Sequence, residues 1–241
     1  MLKLFKQKSK ALLKKFVHEP LDIRLSKIAS NVLSQHLTYL SRGALIDIMN
    51  ATIEYDNNKV SGIIIETGCA LGGSAIAIAS VKSQNREVYV YDVFGMIPPP
   101  SEKDDLDVHQ RYNIIASGNS QGIGNKTYYG YEENLYDKVI QNFQNFDVDV
   151  SQNNVYLVKG LFEDTLIIDK PVVLAHIDCD WYDSVYTCLQ RIEPCLVTGG
   201  TFVIDDYNDW SGARKAVDDF FQDKKNNYDF LMKERLHIIK R

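Results

Sequence analysis

The sequence lacks a cysteine pair of the kind that builds a disulfide framework or a thiolate metal site. Cys69, Cys179, Cys188 and Cys195 are its four cysteines, and no two form a C-x-x-C motif. Set in apolar or site-like stretches, they read as reduced thiols filling space in an intracellular protein. A surplus of positive charge is also missing. Lys and Arg total 27 against 32 Asp and Glu, a formal net charge of -5, so no global field draws the chain to phosphate backbones and nucleic acid is not an expected partner. No apolar run approaches the roughly 18 residues needed to cross a bilayer, which argues against stable membrane insertion. Internal repeats and low-complexity tracts are absent as well.

What is present is ordinary for a folded enzyme-sized unit: 241 residues, 45% hydrophobic and 24% charged. This length suits one α/β domain over 1–241 that buries its own core. Six lysines fall within Met1 to Phe16 around Leu2, Phe5, Leu12, Leu13 and Phe16. Residues 1–20 are therefore expected to be a basic extension, solvated or packed on a partner subunit. A signal-peptide core is not evident there, and the expected location is cytoplasmic.

Apolar spacing predicts two helices after Pro20, broken near Ser41-Arg42-Gly43, ahead of a first strand at Gly62 to Glu66 and a helix at Ser74 to Lys82. Further strands are expected at Glu87 to Tyr91, Asn154 to Lys159, Val172 to Ile177 and Thr201 to Ile204, with a closing hairpin of Phe230 to Lys233 and His237 to Lys240. Strands alternating with helices imply an α/β fold: a mainly parallel sheet with an antiparallel C-terminal pairing and helices on both faces. Between Gly95 and Gly130 the chain is rich in Pro, Gly, Asn and Ser, with Pro98-Pro99-Pro100 at its start and apolar residues too scattered for a core element. Residues 95–130 are expected to be a lid or substrate loop over the carboxyl edge of the sheet.

The first strand runs into Glu66-Thr67-Gly68-Cys69-Ala70-Leu71-Gly72-Gly73-Ser74. Small residues let the backbone approach a ligand, and the following helix N-terminus favours an anionic group. The glycine spacing does not make G-x-G-x-x-G. Glu66 would repel a pyrophosphate but could accept hydrogen bonds from a cofactor's amino or hydroxyl donors, which favours S-adenosylmethionine over NAD. Asp92, ending the second strand, is placed to hold ribose hydroxyls with either cofactor.

Asp178-Cys179-Asp180 ends one strand and Asp205-Asp206 the next, so four carboxylates converge on one edge. Like charges raise one another's pKa, and a hard divalent cation such as Mg²⁺ relieves the repulsion. The expected metal ligands are Asp178, Asp205 and Asp206. A metal lowers the pKa of a weakly acidic hydroxyl while a nearby carboxylate, with Asp180 the candidate, takes the proton. Trp181, Tyr182, Asp183 and Tyr207 to Trp210 line the same edge with groups suited to a sugar or polyketide face. His109 reads as a solvated loop residue.

At these residues the chain resembles the macrocin O-methyltransferase family. The resemblance covers roughly Leu37 to Phe221, through Glu66-Thr67-Gly, Gly160-Leu-Phe-Glu-Asp-Thr-Leu166, His176-Ile-Asp-Cys-Asp-Trp-Tyr-Asp-Ser184 and Gly199-Gly-Thr-Phe-Val-Ile-Asp-Asp-Tyr207. It implies a class I methyltransferase Rossmann-like fold of seven strands and S-adenosylmethionine as cofactor. It also implies Mg²⁺ on Asp178, Asp205 and Asp206, Asp180 as general base, a hydroxyl of a sugar-containing small molecule as acceptor, and a homodimer or larger assembly. Gly160 and Phe162 would border the adenine, Thr38 and Tyr39 the methionine end, with Gly68, Ser74 and Asp178 completing the cofactor site. Ala70-Leu71 stands where the family commonly carries an aromatic and an arginine. A nucleotide-dependent oxidoreductase and a non-catalytic binding protein are the alternative readings; the first has no need of four converging acids, and the second leaves them unexplained.

Overall fold

The structure is a computed structural model and describes residues 19–241. The lysine-rich stretch up to residue 18, on which the basic-extension expectation falls, lies outside the described residues.

Pro20 opens helix α1 (Leu21–Ser34), which buries Leu25, Ala29 and Val32, one stripe at helical spacing. Ser41 caps α2 (Arg42–Asn57), its Oγ accepting the Ala44 N–H at 3.1 Å. The expected break at Ser41-Arg42-Gly43 is thus a helix start. Strand β1 (Ile63–Thr67) leads through the glycine turn into α3 (Gly73–Val81). β2 (Val88–Asp92), α4 (Leu106–Ala116), α5 (Leu135–Asn145), β3 (Val155–Lys159) and the short α6 (Phe162–Thr165) follow. β4 (Val172–Ile177), α7 (Tyr182–Ile192), β5 (Leu196–Ile204) and α8 (Ser211–Phe221) lead to the hairpin β6 (Tyr228–Met232) and β7 (Leu236–Lys240).

The strands form one seven-stranded sheet in the order β3-β2-β1-β4-β5-β7-β6, with β7 antiparallel to both of its neighbours and every other pairing parallel. Alternate residues feed two cores. Ile64, Val90 and Val203 pack under α1, α2, α3 and α5 on one face; Ile65, Phe202 and Ile204 pack under α7 and α8 on the other. Strand order reverses between β1 and β4, which opens a crevice beyond their carboxyl ends where ligands bind in such sheets. The chains are close there: a Cβ on Gly68, whose φ is +80°, would collide with the Asp178 carbonyl.

Two expectations need correction. β5 begins at Leu196 rather than Thr201, and its pairing with β4 jumps from Val172↔Leu196 to Leu174↔Thr201. Gly199-Gly200 reads locally as a turn but forms a bulge inside the strand. Residues 95–130 are also not an element-free loop, since they contain α4 with Val108 and Ile115 buried. Only two of its residues face inward, too few for a periodic signal; acids anchor the segment instead. Asp104 accepts the Tyr182 N–H at 2.8 Å at the start of α7, and Asp107 accepts the Ser211 N–H at 3.0 Å at the start of α8. Trp181 donates its indole N–H to the Pro98 carbonyl at 3.0 Å.

Candidate active site

The ends of β1, β2 and β4 surround a cleft of about 410 Å³ lined by Gly68, Asp92, Phe162, Asp178 and Asp180 among others. Asp92 is buried and holds the turn together, accepting N–H bonds from Cys69 and Phe94, each at 2.7 Å. Burial raises its pKa above the usual carboxylate value despite these bonds. Each oxygen keeps acceptor capacity toward the cleft. Gly160 stands behind it, donating its N–H to the Asp92 carbonyl at 3.0 Å, and Phe162 opens α6 on the rim.

Beside the cleft lies a cavity of about 250 Å³, in which the β4 and β5 acids meet. One carboxylate oxygen each from Asp178, Asp205 and Asp206 lies within 4.8 Å of the others. Asp180 sits in the left-handed region at φ +58°, a conformation Asp tolerates, and donates its N–H to Asp206 Oδ2 at 3.1 Å. Burial, followed by the charge of Asp205, pushes the Asp180 carboxyl up to about 7, with Arg111 and the Trp210 indole pulling the other way. Burial likewise raises Asp178 and Asp206 well above the usual range, with neighbouring carboxylates adding to it. All four acids expected to converge therefore do so.

Aromatic walls close the cavity. Trp181 and Trp210 meet edge to face at 5.7 Å, and Tyr39 meets Tyr129 at 6.5 Å. Tyr39, ahead of α2, is 54% exposed and lines this acid cavity, whereas Thr38 is buried against Gly73. The first N–H of α3 bonds to the Leu37 carbonyl at 3.1 Å, so one of the donors at this helix N-terminus is taken up within the fold.

Glu66 and Ser74 also depart from expectation. Glu66 is 0% exposed and lines neither cavity. Its Oε1 accepts the Ser74 hydroxyl, and its Oε2 lies 3.0 Å from His176 Nδ1. β1 and β4 pair Glu66 directly with His176 across the sheet, so both carboxylate oxygens are satisfied internally rather than by a cofactor. Burial alone would hold the His176 pKa down; the Glu66 charge outweighs it and raises the group above its ordinary value. The other ring nitrogen of His176 is buried without a hydrogen-bond partner, 4.0 Å from Asp205 Oδ1.

The sequence reading missed three groups in or beside the acid cavity. Arg111 comes from α4, the helix it failed to find. Tyr129 follows in the same segment and borders both cavities. Arg235, in the β6–β7 turn, places Nε 2.5 Å from Asp205 Oδ1. His176 lay inside a recognised motif, but nothing local announced its partner.

Comparison with known proteins gives this geometry a context. The profile of the family described as Macrocin-O-methyltransferase (TylF) matches residues 2–234. A "Demethyldecarbamoylnovobiocin O-methyltransferase" of Streptomyces niveus is 29% identical over 175 residues, 68% of this chain and 59% of that protein. An "8-demethyl-8-(2,3-dimethoxy-alpha-L-rhamnosyl)-tetracenomycin-C 4'-O-methyltransferase" of Streptomyces olivaceus is 26% identical over 172 residues, 67% of this chain and 58% of that protein. The chain thus spans somewhat under two thirds of the length of these relatives. The solved structure of the O-methyltransferase NovP superimposes with a TM-score of 0.70 at 24% identity, covering 85% of this chain and 82% of that one, which establishes a class I methyltransferase fold. By the extent of its profile match, the chain belongs to the macrocin-O-methyltransferase family.

Proposed function

We propose that this protein is an S-adenosylmethionine-dependent O-methyltransferase in which Asp178, Asp205 and Asp206 hold a divalent metal and Asp180 is the general base. The observation that carries the reading is the meeting of four buried or half-buried carboxylates beside a cleft that ends at Asp92. The donor set fits Mg²⁺: all three ligands are hard oxygens, and uncompensated they repel one another in a low-dielectric pocket. Bound there, the ion would supply Lewis acidity that lowers the pKa of the acceptor hydroxyl.

The protein's own residues do the rest. Asp180, with its pKa near 7, takes the hydroxyl proton at a carboxylate oxygen; a base titrating near the working pH combines availability with driving force. Asp92 accepts from the ribose hydroxyls with the lone pairs left free by Cys69 and Phe94. Phe162 and Gly160 border the adenine, Gly68 lets the backbone approach, and Tyr39 closes the methionine end. Trp181, Trp210, Tyr39 and Tyr129 exclude water and offer flat apolar faces with polar tips, as suits a sugar ring. One relative's name includes a rhamnosyl group and both specify O-methyl transfer, which supports a hydroxyl of a sugar-bearing natural product as acceptor. The reading includes a single catalytic domain that works in the cytoplasm as a homodimer or larger homo-oligomer. No described helix is long and apolar enough to cross a membrane.

Calorimetric titration with S-adenosylhomocysteine, in Mg²⁺ and then in chelator, tests the reading before any acceptor is known. Micromolar binding is expected. An absence of heat and of thermal stabilisation would remove the methyltransferase assignment.

A further inference from the structure

The acid cavity has its own cation. Five carboxylates line it, those of Asp178, Asp180, Asp205, Asp206 and Asp209, against the guanidinium groups of Arg111 and Arg235. The two arginines differ in what they touch. Arg111 lies over the Tyr128 ring, 5.7 Å from its centroid, and among the described residues makes no ion pair within 4.0 Å. Arg235 donates Nε to Asp205 Oδ1 at 2.5 Å and reaches Asp209 with a second nitrogen at 3.7 Å. Its backbone belongs to a tight turn, where its carbonyl accepts the Lys233 N–H at 3.0 Å, and its side chain keeps 22% exposure. A long side chain leaving a surface turn can point into the cavity or out to water with little change in backbone.

We propose that Arg235 is a built-in stand-in for the metal: its guanidinium and a divalent cation are alternative counter-ions of Asp205, so Arg235 supports the metal-free site and sets its metal affinity. The proposal rests on the metal reading given above. Buried carboxylates without a counter-charge destabilise a fold, and removing one partner of a buried pair costs more than the pair contributes. Arg235 relieves that cost while no ion is bound. Once a divalent ion is coordinated, a guanidinium on the same carboxylate is a like charge a few ångströms away and opposes it. Nothing in this depends on a change of protonation. His176, 4.0 Å from the same Asp205 oxygen on the inner side, is locked to Glu66 and cannot withdraw, which leaves Arg235 as the movable member.

The experiment compares the full chain with Arg235→Gln and Arg235→Lys, reading the melting temperature in chelator, the melting temperature in saturating Mg²⁺, and the Mg²⁺ Kd by calorimetry. S-adenosylhomocysteine affinity serves as the control for a correctly folded cleft. Arg235→Gln is expected to melt several degrees lower in chelator, to recover most of that loss with Mg²⁺, and to bind Mg²⁺ about tenfold more tightly; Arg235→Lys stays near wild type in all three. Unchanged or weaker Mg²⁺ binding by Arg235→Gln overturns the proposal and makes Arg235 an orienting or purely structural partner. So does a melting loss that Mg²⁺ does not recover. Wild-type protein that binds S-adenosylhomocysteine but no Mg²⁺ removes the metal reading, and the proposal with it, while the methyltransferase reading stands.

Discussion

Two groups of acids lie one strand apart at the carboxyl edge of this sheet, and they end in opposite states. Glu66 on β1 is closed: a serine hydroxyl and a histidine ring satisfy its two oxygens in complete burial. The β4 and β5 acids are open, with four carboxylates facing a shared cavity and few donors to meet them. Sequence position gave Glu66 and Asp178 the same standing, as acids at or beside the end of an apolar strand. What separates them is compensation. A buried acid with its partners supplied by the fold is structure, whereas acids held together without enough partners carry a cost that only a function explains.

The largest effect that would break the comparison is on turnover. Asp180→Asn removes the base but leaves the cleft, so methyl transfer to an identified acceptor should fall about 1000-fold with S-adenosylhomocysteine affinity within a factor of three. Substantial activity in this variant would return Asp180 to the structural class. For Glu66→Gln the balance reverses: it removes the buried carboxylate to which the Ser74 hydroxyl and the His176 ring are bonded, at a cost of about 2 kcal/mol in denaturant unfolding, with Mg²⁺ affinity little changed. If it loses metal binding at unchanged stability, the closed group is part of the site.

A third buried group on the same face sharpens the contrast. His237 on β7 pairs with Val203 on β5, itself paired with His176 on β4. Burial and the Lys233 charge push its pKa down to about 4, against a weaker opposing pull from Asp47. The folded state thus holds His237 neutral, while the unfolded chain takes up a proton below the ordinary value of about 6.5. Stability is fully present above that pH and falls as pH drops from about 6.5 to 4, by roughly 2 kcal/mol after allowance for screening. Unfolding midpoints across this window should slope for wild type and flatten for His237→Leu.

Legibility followed locality. β4 was read to the residue because its apolar run stops at Asp178, and the strand ends placed the acid cavity for the same reason. β5 lost its first five residues to Gly199-Gly200, where a bulge and a turn look alike in sequence. α4 was missed because its anchoring runs through Asp104 and Asp107 to helix starts about 80 and 100 residues away, and Arg111 was missed with it. Arg235 sits in a hairpin turn, where an arginine has no reason to be singled out. Glu66 was misjudged because the residue that closes it, His176, lies 110 positions along the chain. Pairings across the sheet are a property of topology, and residues met one at a time do not display them.

The smallest expected effect bears most directly on that misjudgement. Ser74 follows the glycine turn on the first turn of α3, a position from which a hydroxyl could reach either a ligand or the strand beneath it. In this fold it turns inward and donates to Glu66, and its own burial leaves 2% of its surface exposed. If that bond is its whole role, Ser74→Ala loses one buried hydrogen bond shared with a charged acceptor, about 1 kcal/mol in unfolding, and S-adenosylhomocysteine binds as before. A cofactor carboxylate that took the hydroxyl in the bound state would give a different pattern: affinity down about tenfold, with little change in the stability of the ligand-free protein. Measuring both quantities on one variant therefore decides whether the turn's serine belongs to the closed group or trades partners when the cleft fills.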